Sequence, residues 1–230
     1  MHRIPAPARV NRKAGIRAEG ESAIIAAAEQ VFATYGYRGA STSMIAEQAG
    51  VSKAMIYHYF ETKELLYQIV LERTHNWWGE AAELLDRFSE PVEALTAYIH
   101  RKMDMSRENY YGSKVWASEV MQGAPILQGY LETEVREWTK KQIERIRSWV
   151  RAGKIEPVEP FYLLLMIWAT TQHYADFEHQ IATLNGGRPL DDEQHRAAKD
   201  TVTRIILKGI GASIKSRRSK PRANPTRDPE

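Results

Sequence analysis

The sequence predicts an all-α fold: an N-terminal three-helix unit followed by a larger helical domain, about nine helices in all. Three observations carry this. No segment alternates apolar and polar residues with the period of two that a half-buried strand needs. The long segments instead repeat their apolar residues at 3.6-residue spacing. Between them stand glycines, prolines and capping residues of the kind that start and stop helices.

Helix 1 is expected from Arg17 to Tyr35. Ile24, Ala27, Ala28, Val31, Phe32 and Tyr35 form its stripe and Gly36 ends it. Helices 2 and 3 lie within residues 42–60. Helix 4 starts at a Thr62 cap, buries Leu65, Leu66, Ile69 and Val70, and extends to Phe88 with Gly79 weakening its middle. Ser89-Glu90-Pro91 opens helix 5, with proline in its first turn. Leu95, Tyr98, Ile99, Lys102 and Met103 lie on its stripe, and Tyr110-Tyr111-Gly112 closes it. Helix 6 covers Ser113 to Met121. Gly123-Ala124-Pro125 opens helix 7, which runs to Arg151. After the break at residues 156–160, helix 8 spans Pro160 to Ile181. The loop Asn185–Pro189 leads to helix 9, from Asp191 or Asp192 to Ile214.

Residues 42–60, TSMIAEQAGVSKAMIYHYF, are the most specific stretch in the chain. Ile45, Ala46 and Ala49 put apolar groups on one face of a short helix. Gly50 permits the turn, Val51 anchors it, and Ser52 caps a second helix. Ala46 faces the crossing, where a small residue is required. The second helix buries Ile56 and Tyr59 and leaves Lys53, Ala54, Met55, Tyr57 and His58 outward. That geometry lays a recognition helix in a major groove, although an ordinary helical hairpin shares the spacing.

The flanking residues remove much of that ambiguity. Tyr35-Gly36-Tyr37, Thr42, Ile45-Ala46, Ala49-Gly50-Val51-Ser52, Tyr57-His58-Tyr59-Phe60 and Lys63-Glu64-Leu65-Leu66 resemble the signature of the TetR family of one-component transcription regulators. The match covers about a quarter of the chain. The resemblance implies a DNA-binding regulator, and neither an enzymatic activity nor a cofactor is expected. It also implies a homodimer, because two recognition helices must sit one DNA turn apart to read a palindrome of double-stranded DNA. Thr42, Ser52, Lys53, Ala54, Met55, Tyr57, His58 and Lys63 are the candidate DNA-binding residues. Thr42 and Lys63 are expected on the phosphate backbone, and Ala54 and Met55 make apolar contacts such as to a thymine methyl. On this reading, Lys63→Ala weakens binding to all sequences and flattens its salt dependence.

Composition narrows the rest. Cysteine is absent, which excludes disulfides and thiolate metal sites and suits a reducing compartment. The longest apolar run, Phe161–Ala169, is too short to span a bilayer, and the N-terminus lacks an apolar signal-peptide core. A cytoplasmic protein making no membrane contact is expected. A Gly-rich phosphate loop and a Gly-x-Ser-x-Gly elbow are both missing, and His173 and His179 have no third metal ligand at useful spacing. The net charge of +3 hides segregation: residues 1–18 carry +5, residues 215–230 carry +4, and the body between them carries −6. The expected division is a basic disordered arm at 1–17, the DNA-binding domain at 18–64, a ligand-binding and dimerisation domain at 65–214, and a basic disordered tail at 215–230. The arm reads equally as a phosphate or minor-groove contact and as a solvated tail.

Helix 8 is the second informative segment. It is apolar nearly all round from Phe161 to Trp168, and then Thr170, Thr171, Gln172, His173 and Asp176 intrude. Trp168 and Gln172 lie four apart on one face. A flat ring can stack on the indole, while the amide pairs with the adjacent N–H and C=O of a lactam edge. Bonds to neighbouring helices or across a dimer would satisfy the same groups. Met121–Pro125 and Met166–Phe177, with Ser106-Arg107 and Trp149-Val150…Gly153-Lys154, resemble the ligand domain of uracil- and thymine-sensing members of the family, which regulate pyrimidine utilisation. This resemblance runs through most of residues 20–210. It implies a repressor whose DNA affinity falls when a pyrimidine base binds, with Trp78, Trp116, Trp168, Gln172 and His173 as candidate ligand-binding residues. Trp77 must point elsewhere than Trp78. Two stretches depart from the pattern: the exposed residues of helix 3, which bear on the operator, and Lys114–Val120, where Trp116 reshapes the pocket. A regulator of efflux or catabolic genes sensing a larger aromatic compound is the alternative. Helices 8 and 9 are expected to form the dimer interface through Phe161, Leu164, Leu165, Ile205, Ile206 and Ile210.

Overall fold

The computed structural model describes the backbone of residues 9–212 and the side chains of residues 19–212. Residues 1–8 of the expected arm and the whole expected tail lie outside the described residues. In chain order the helices are α1 (Arg9–Gly39), α2 (Thr42–Ala49), α3 (Lys53–Tyr59), α4 (Lys63–Arg87), α5 (Pro91–Glu108), α6 (Tyr110–Met121) and α7 (Gln128–Tyr130). A π-helical turn, Leu131–Val135, leads directly into α8 (Arg136–Arg151). Then come α9 (Pro160–Asp176), α10 (Glu178–Leu184) and α11 (Asp192–Gly209). No strand occurs among the described residues.

The caps are where the side-chain chemistry places them. Ser41, Ser52 and Thr62 accept hydrogen bonds from the backbone N–H groups of Met44, Met55 and Leu65 at 3.2, 3.2 and 3.0 Å. Gly50 closes α2 in the left-handed region, at φ 66° and ψ 30°. Asp191 and Gln194 cap α11 reciprocally.

Several boundaries differ from the sequence reading. α1 begins at Arg9, so part of the expected arm is helical. Gly36 (φ 66°) kinks α1 rather than ending it. α5 stops at Glu108, and Tyr110, Tyr111 and Gly112 belong to α6, because the Asn109 side chain accepts from Gly112 N–H at 3.3 Å and caps the new helix. The expected helix 8 breaks at Phe177 into α9 and α10, and α11 ends at Gly209. Leu65 is 37 % exposed, so Leu66, Tyr67, Val70 and Leu71 make the buried face of α4 instead.

Two apolar clusters fill the interior. One joins α1–α4 to Val115, Trp116, Ala124 and Leu127, so the core of the helix-turn-helix unit continues into the second domain through α6. The other joins α4, α5, α8, α9 and α11. Trp78 packs against both.

Gly112 sets how closely α6 approaches α4. A β-carbon there would sit 2.6 Å from the buried Thr74 Oγ1. Gly112→Ala should therefore cost about 1–3 kcal/mol through overpacking. Urea unfolding checks this, and an unchanged midpoint would show that the crossing can relax.

Candidate nucleic-acid interface and effector cavity

At the N-terminal end, Ser52, Lys53, Ala54, Met55, Tyr57 and His58 are all exposed on or beside α3, and Ile56 beneath them is buried. Tyr59 packs back on α1, where its hydroxyl would meet a β-carbon at Gly20 within 2.8 Å. Two candidates are placed differently from their sequence roles. Thr42 is buried, and its hydroxyl lies 3.2 Å from that of Tyr57, which it orients. Lys63 does not project as a free cation. Its ammonium donates to the carbonyls of Tyr37 and Ala40 at 2.7 and 2.9 Å and lies 4.4 Å from the Tyr37 ring centroid. It thereby holds the α1–α2 connection, whose last carbonyls need donors.

The second domain encloses a cavity of about 450 Å³. α4 contributes His75, Trp78 and Gly79, and α5 contributes Tyr98 and Lys102. Trp116 comes from α6, Leu131 and Glu134 from the π turn, Trp138 from α8, and Trp168 and Gln172 from α9. Trp78 and Trp116 meet edge to face at 4.7 Å, while Trp138 and Trp168 are tilted by 31° at 6.2 Å. The π turn thus forms part of a cavity wall, a common place for such irregularities. Trp77 points away, under the Arg101 guanidinium.

The polar groups of this cavity are few. Trp168 Nε1 donates to the Tyr98 hydroxyl at 2.8 Å, and burial pushes the pKa of Tyr98 up. The Gln172 amide has no protein hydrogen-bond partner among the described residues, and Trp138 Nε1 is a buried donor without an acceptor. Lys102 is 5 % exposed, with its ammonium 4.3 Å from the Trp78 ring centroid. Burial pushes Lys102 down to about 8, and the Asp176 charge partly opposes that. Asp176 itself accepts from Ser113 Oγ at 2.9 Å, and burial raises its carboxyl.

Of the candidate ligand residues, Trp78, Trp116, Trp168 and Gln172 are brought to one cavity. His173 is not: it is exposed and stacked on Phe177 at 4.7 Å, because it sits next to Gln172 and consecutive helical residues point about 100° apart. Lys102 and Trp138 were missed. The available signal was a lysine on the apolar stripe of helix 5, between Ile99 and Met103. The expected dimer residues also divide. Leu164, Ile206 and Ile210 are buried within the protomer, whereas Phe161, Leu165 and Ile205 are exposed together with Tyr162 and Met166.

A buried carboxylate connects the two ends. Glu119 on α6 accepts from Tyr67 Oη at 3.1 Å and from the backbone N–H groups of Ile126 and Leu127 at 2.6 and 3.2 Å. Tyr67 in turn packs on Phe32 and Tyr37, with ring centroids 4.9 and 4.8 Å away. Removing the carboxylate orphans all three donors.

A helix-turn-helix reader joined to a helical domain with an aromatic cavity is the plan of a ligand-responsive transcription regulator. The comparisons with known proteins agree. The family described as "Bacterial regulatory proteins, tetR family" matches residues 24–69, and "YcdC-like protein, C-terminal region" matches residues 71–213. The chain is 35% identical to the HTH-type transcriptional regulator RutR of Escherichia coli K12 over 190 residues, covering 83% of this chain and 90% of that protein. It is 24% identical to the HTH-type transcriptional repressor KstR2 of Mycolicibacterium smegmatis, covering 81% and 88% of the two chains. Among solved structures, the ketosteroid transcriptional regulator KstR2 of Mycobacterium tuberculosis superposes with a TM-score of 0.67 at 18% identity, covering 83% and 94%. This chain belongs to the TetR family and is a transcriptional regulator. Among the described residues no helix is long and apolar enough to cross a membrane.

Three substitutions test these placements. Lys63→Ala should destabilise the N-terminal unit while leaving the salt slope of DNA binding unchanged, whereas Lys53→Ala should reduce that slope by about one. A flattened slope for Lys63→Ala, read from binding titrations at several salt concentrations, would restore Lys63 to the phosphate backbone. Glu119→Ala should cost about 2–4 kcal/mol in urea unfolding, since its buried donors lose their acceptor. A loss within experimental scatter would mean that water replaces the carboxylate.

Proposed function

We propose that this chain is a homodimeric repressor, released from a palindromic operator by a small flat heterocycle such as uracil or thymine, and that it controls pyrimidine catabolism. The observation that carries the reading is the unpaired Gln172 amide, one helical turn from Trp168 on the cavity wall. A half-buried amide without protein partners suits a ligand with adjacent donor and acceptor, as on the lactam edge of a pyrimidine base. The 35% identity to RutR supports it, together with the sequence resemblance to pyrimidine-sensing relatives.

Operator contact falls to the exposed face of α3, with Lys53, Tyr57 and His58 as polar readers and Ala54 and Met55 as apolar ones. The face of α9 and α11 that carries Phe161, Tyr162, Leu165, Met166 and Ile205 packs against its twin. Release requires the ligand to bind one arrangement of the cavity better than another. The walls able to report the difference are α4, which carries Trp78 and Tyr67, and α6, which carries Trp116 and Glu119.

A second reading rests on the cavity itself. At about 450 Å³, with four indoles around it, it would also suit a larger aromatic effector, as in a regulator of efflux or catabolic genes.

Thermal unfolding with and without ligand separates the two. A hundredfold excess over Kd stabilises the folded state by about 2.7 kcal/mol. Uracil or thymine should raise the unfolding temperature and cytosine should not. Gln172→Leu should keep its fold and operator affinity but lose the response. A shift with bulkier aromatics and none with any pyrimidine would transfer the effector to the second reading.

A further inference from the structure

Lys102 presents a problem that the amide reading leaves open. Its ammonium is almost fully buried, it faces the cavity, and no carboxylate lies within ion-pair distance of it among the described residues. Its only contact of note is the Trp78 ring face. Asp176 acts on it through space but spends an oxygen on Ser113. An uncompensated buried cation is costly, and it is relieved by an anion brought to it. Trp138 lines the same cavity with its ring, while its Nε1 is buried behind that wall. The hydrogen-bonding capacity of the Lys102 ammonium consists entirely of donors.

We propose that Lys102 is a specificity-determining residue of the effector cavity and selects a flat ring that carries negative charge on oxygen, such as the anion of an acidic oxo-pyrimidine or an aromatic carboxylate. The proposal rests on the cavity being the effector site and adds to the pyrimidine reading the charge of the preferred ligand. Gln172 reads the donor–acceptor edge and Lys102 reads the charge. The other titratable groups around the cavity are His75 from α4, Tyr98 from α5, Tyr130 from α7 and Glu134 from the π turn, with Asp176 of α9 acting from a distance. Burial pushes His75 down and Tyr98 up, and Tyr130 is raised to about 12, so all three are shifted towards their neutral forms. Glu134 is two-thirds exposed, with its carboxyl group in contact with water.

Calorimetric titration of the full chain tests this with two matched pairs: barbiturate against uracil, and benzoate against benzamide. In each pair the first is an anion at neutral pH and the second is neutral. The anion should bind at least about tenfold tighter in each pair, and Lys102→Met should abolish that preference. Anion affinity should also fall from about pH 8 upward as the ammonium loses its proton, by up to about tenfold per pH unit. Equal affinities within each pair, or a preference that survives Lys102→Met, overturns the proposal and leaves the pyrimidine reading standing if uracil binds. Benzoate preferred over benzamide with no pyrimidine bound overturns the pyrimidine reading and upholds the role of Lys102. Absence of binding by all four overturns both.

Discussion

Glu119 is 3 % exposed, and its two carboxylate oxygens face different parts of the molecule. One takes the Tyr67 hydroxyl from α4, next to the aromatic cluster of the N-terminal unit. The other takes the N–H groups of Ile126 and Leu127, where the chain turns out of α6 towards α7 and the π turn. A buried carboxylate is tolerable only when its lone pairs are used, and here three donors use them. The arrangement therefore resists small displacements. Moving α6 relative to α4 lengthens hydrogen bonds that lie in the buried interior. Trp116, one turn earlier on α6, is a wall of the cavity. The same helix thus carries a cavity wall and the brace to the helix-turn-helix unit. The apolar core that runs continuously from α1 through Trp116 makes this junction a packed one rather than a hinge.

The cavity is built with polar groups left unspent. Tyr98 and Trp168 satisfy each other, but among the described residues Gln172 and Lys102 line the cavity without hydrogen-bond partners. Such groups lower the stability of the empty protein and are relieved on binding. The π turn beside them adds local irregularity to a wall that otherwise belongs to one continuous helix. A regulator needs this imbalance. A cavity fully satisfied when empty would offer a ligand little differential free energy with which to shift the helices.

The DNA-reading end was largely legible because its determinants are local. Gly50 and the Ser52 and Thr62 caps act on residues within one turn of themselves, so composition and spacing reveal them. Thr42 and Lys63 were visible as motif residues, yet their partners, Tyr57 and the carbonyls of Tyr37 and Ala40, come from elsewhere in the chain. The break at Phe177 carries no glycine or proline to mark it, and the start of α6 depends on the short side chain of Asn109 rather than on the glycine two residues into the helix. Trp168 and Gln172 could be paired because they share one helical face. Lys102 could not be assigned to them, because the face it shares with Tyr98 meets α9 only in the folded chain. His173 shows the converse: it follows the family pattern in sequence, but its position on the helix turns it outward.

Occupancy of the cavity is expected to reach the DNA reader through α6 and α4. Amide hydrogen exchange is the sharpest test, comparing the free protein with the protein saturated by whichever compound raises its unfolding temperature. Altered protection is expected in two places: in α4, α6 and the π turn around the cavity, and in α1 to α3 beyond Glu119. Changes confined to the cavity walls, with α1 to α3 exchanging as before, would contradict it.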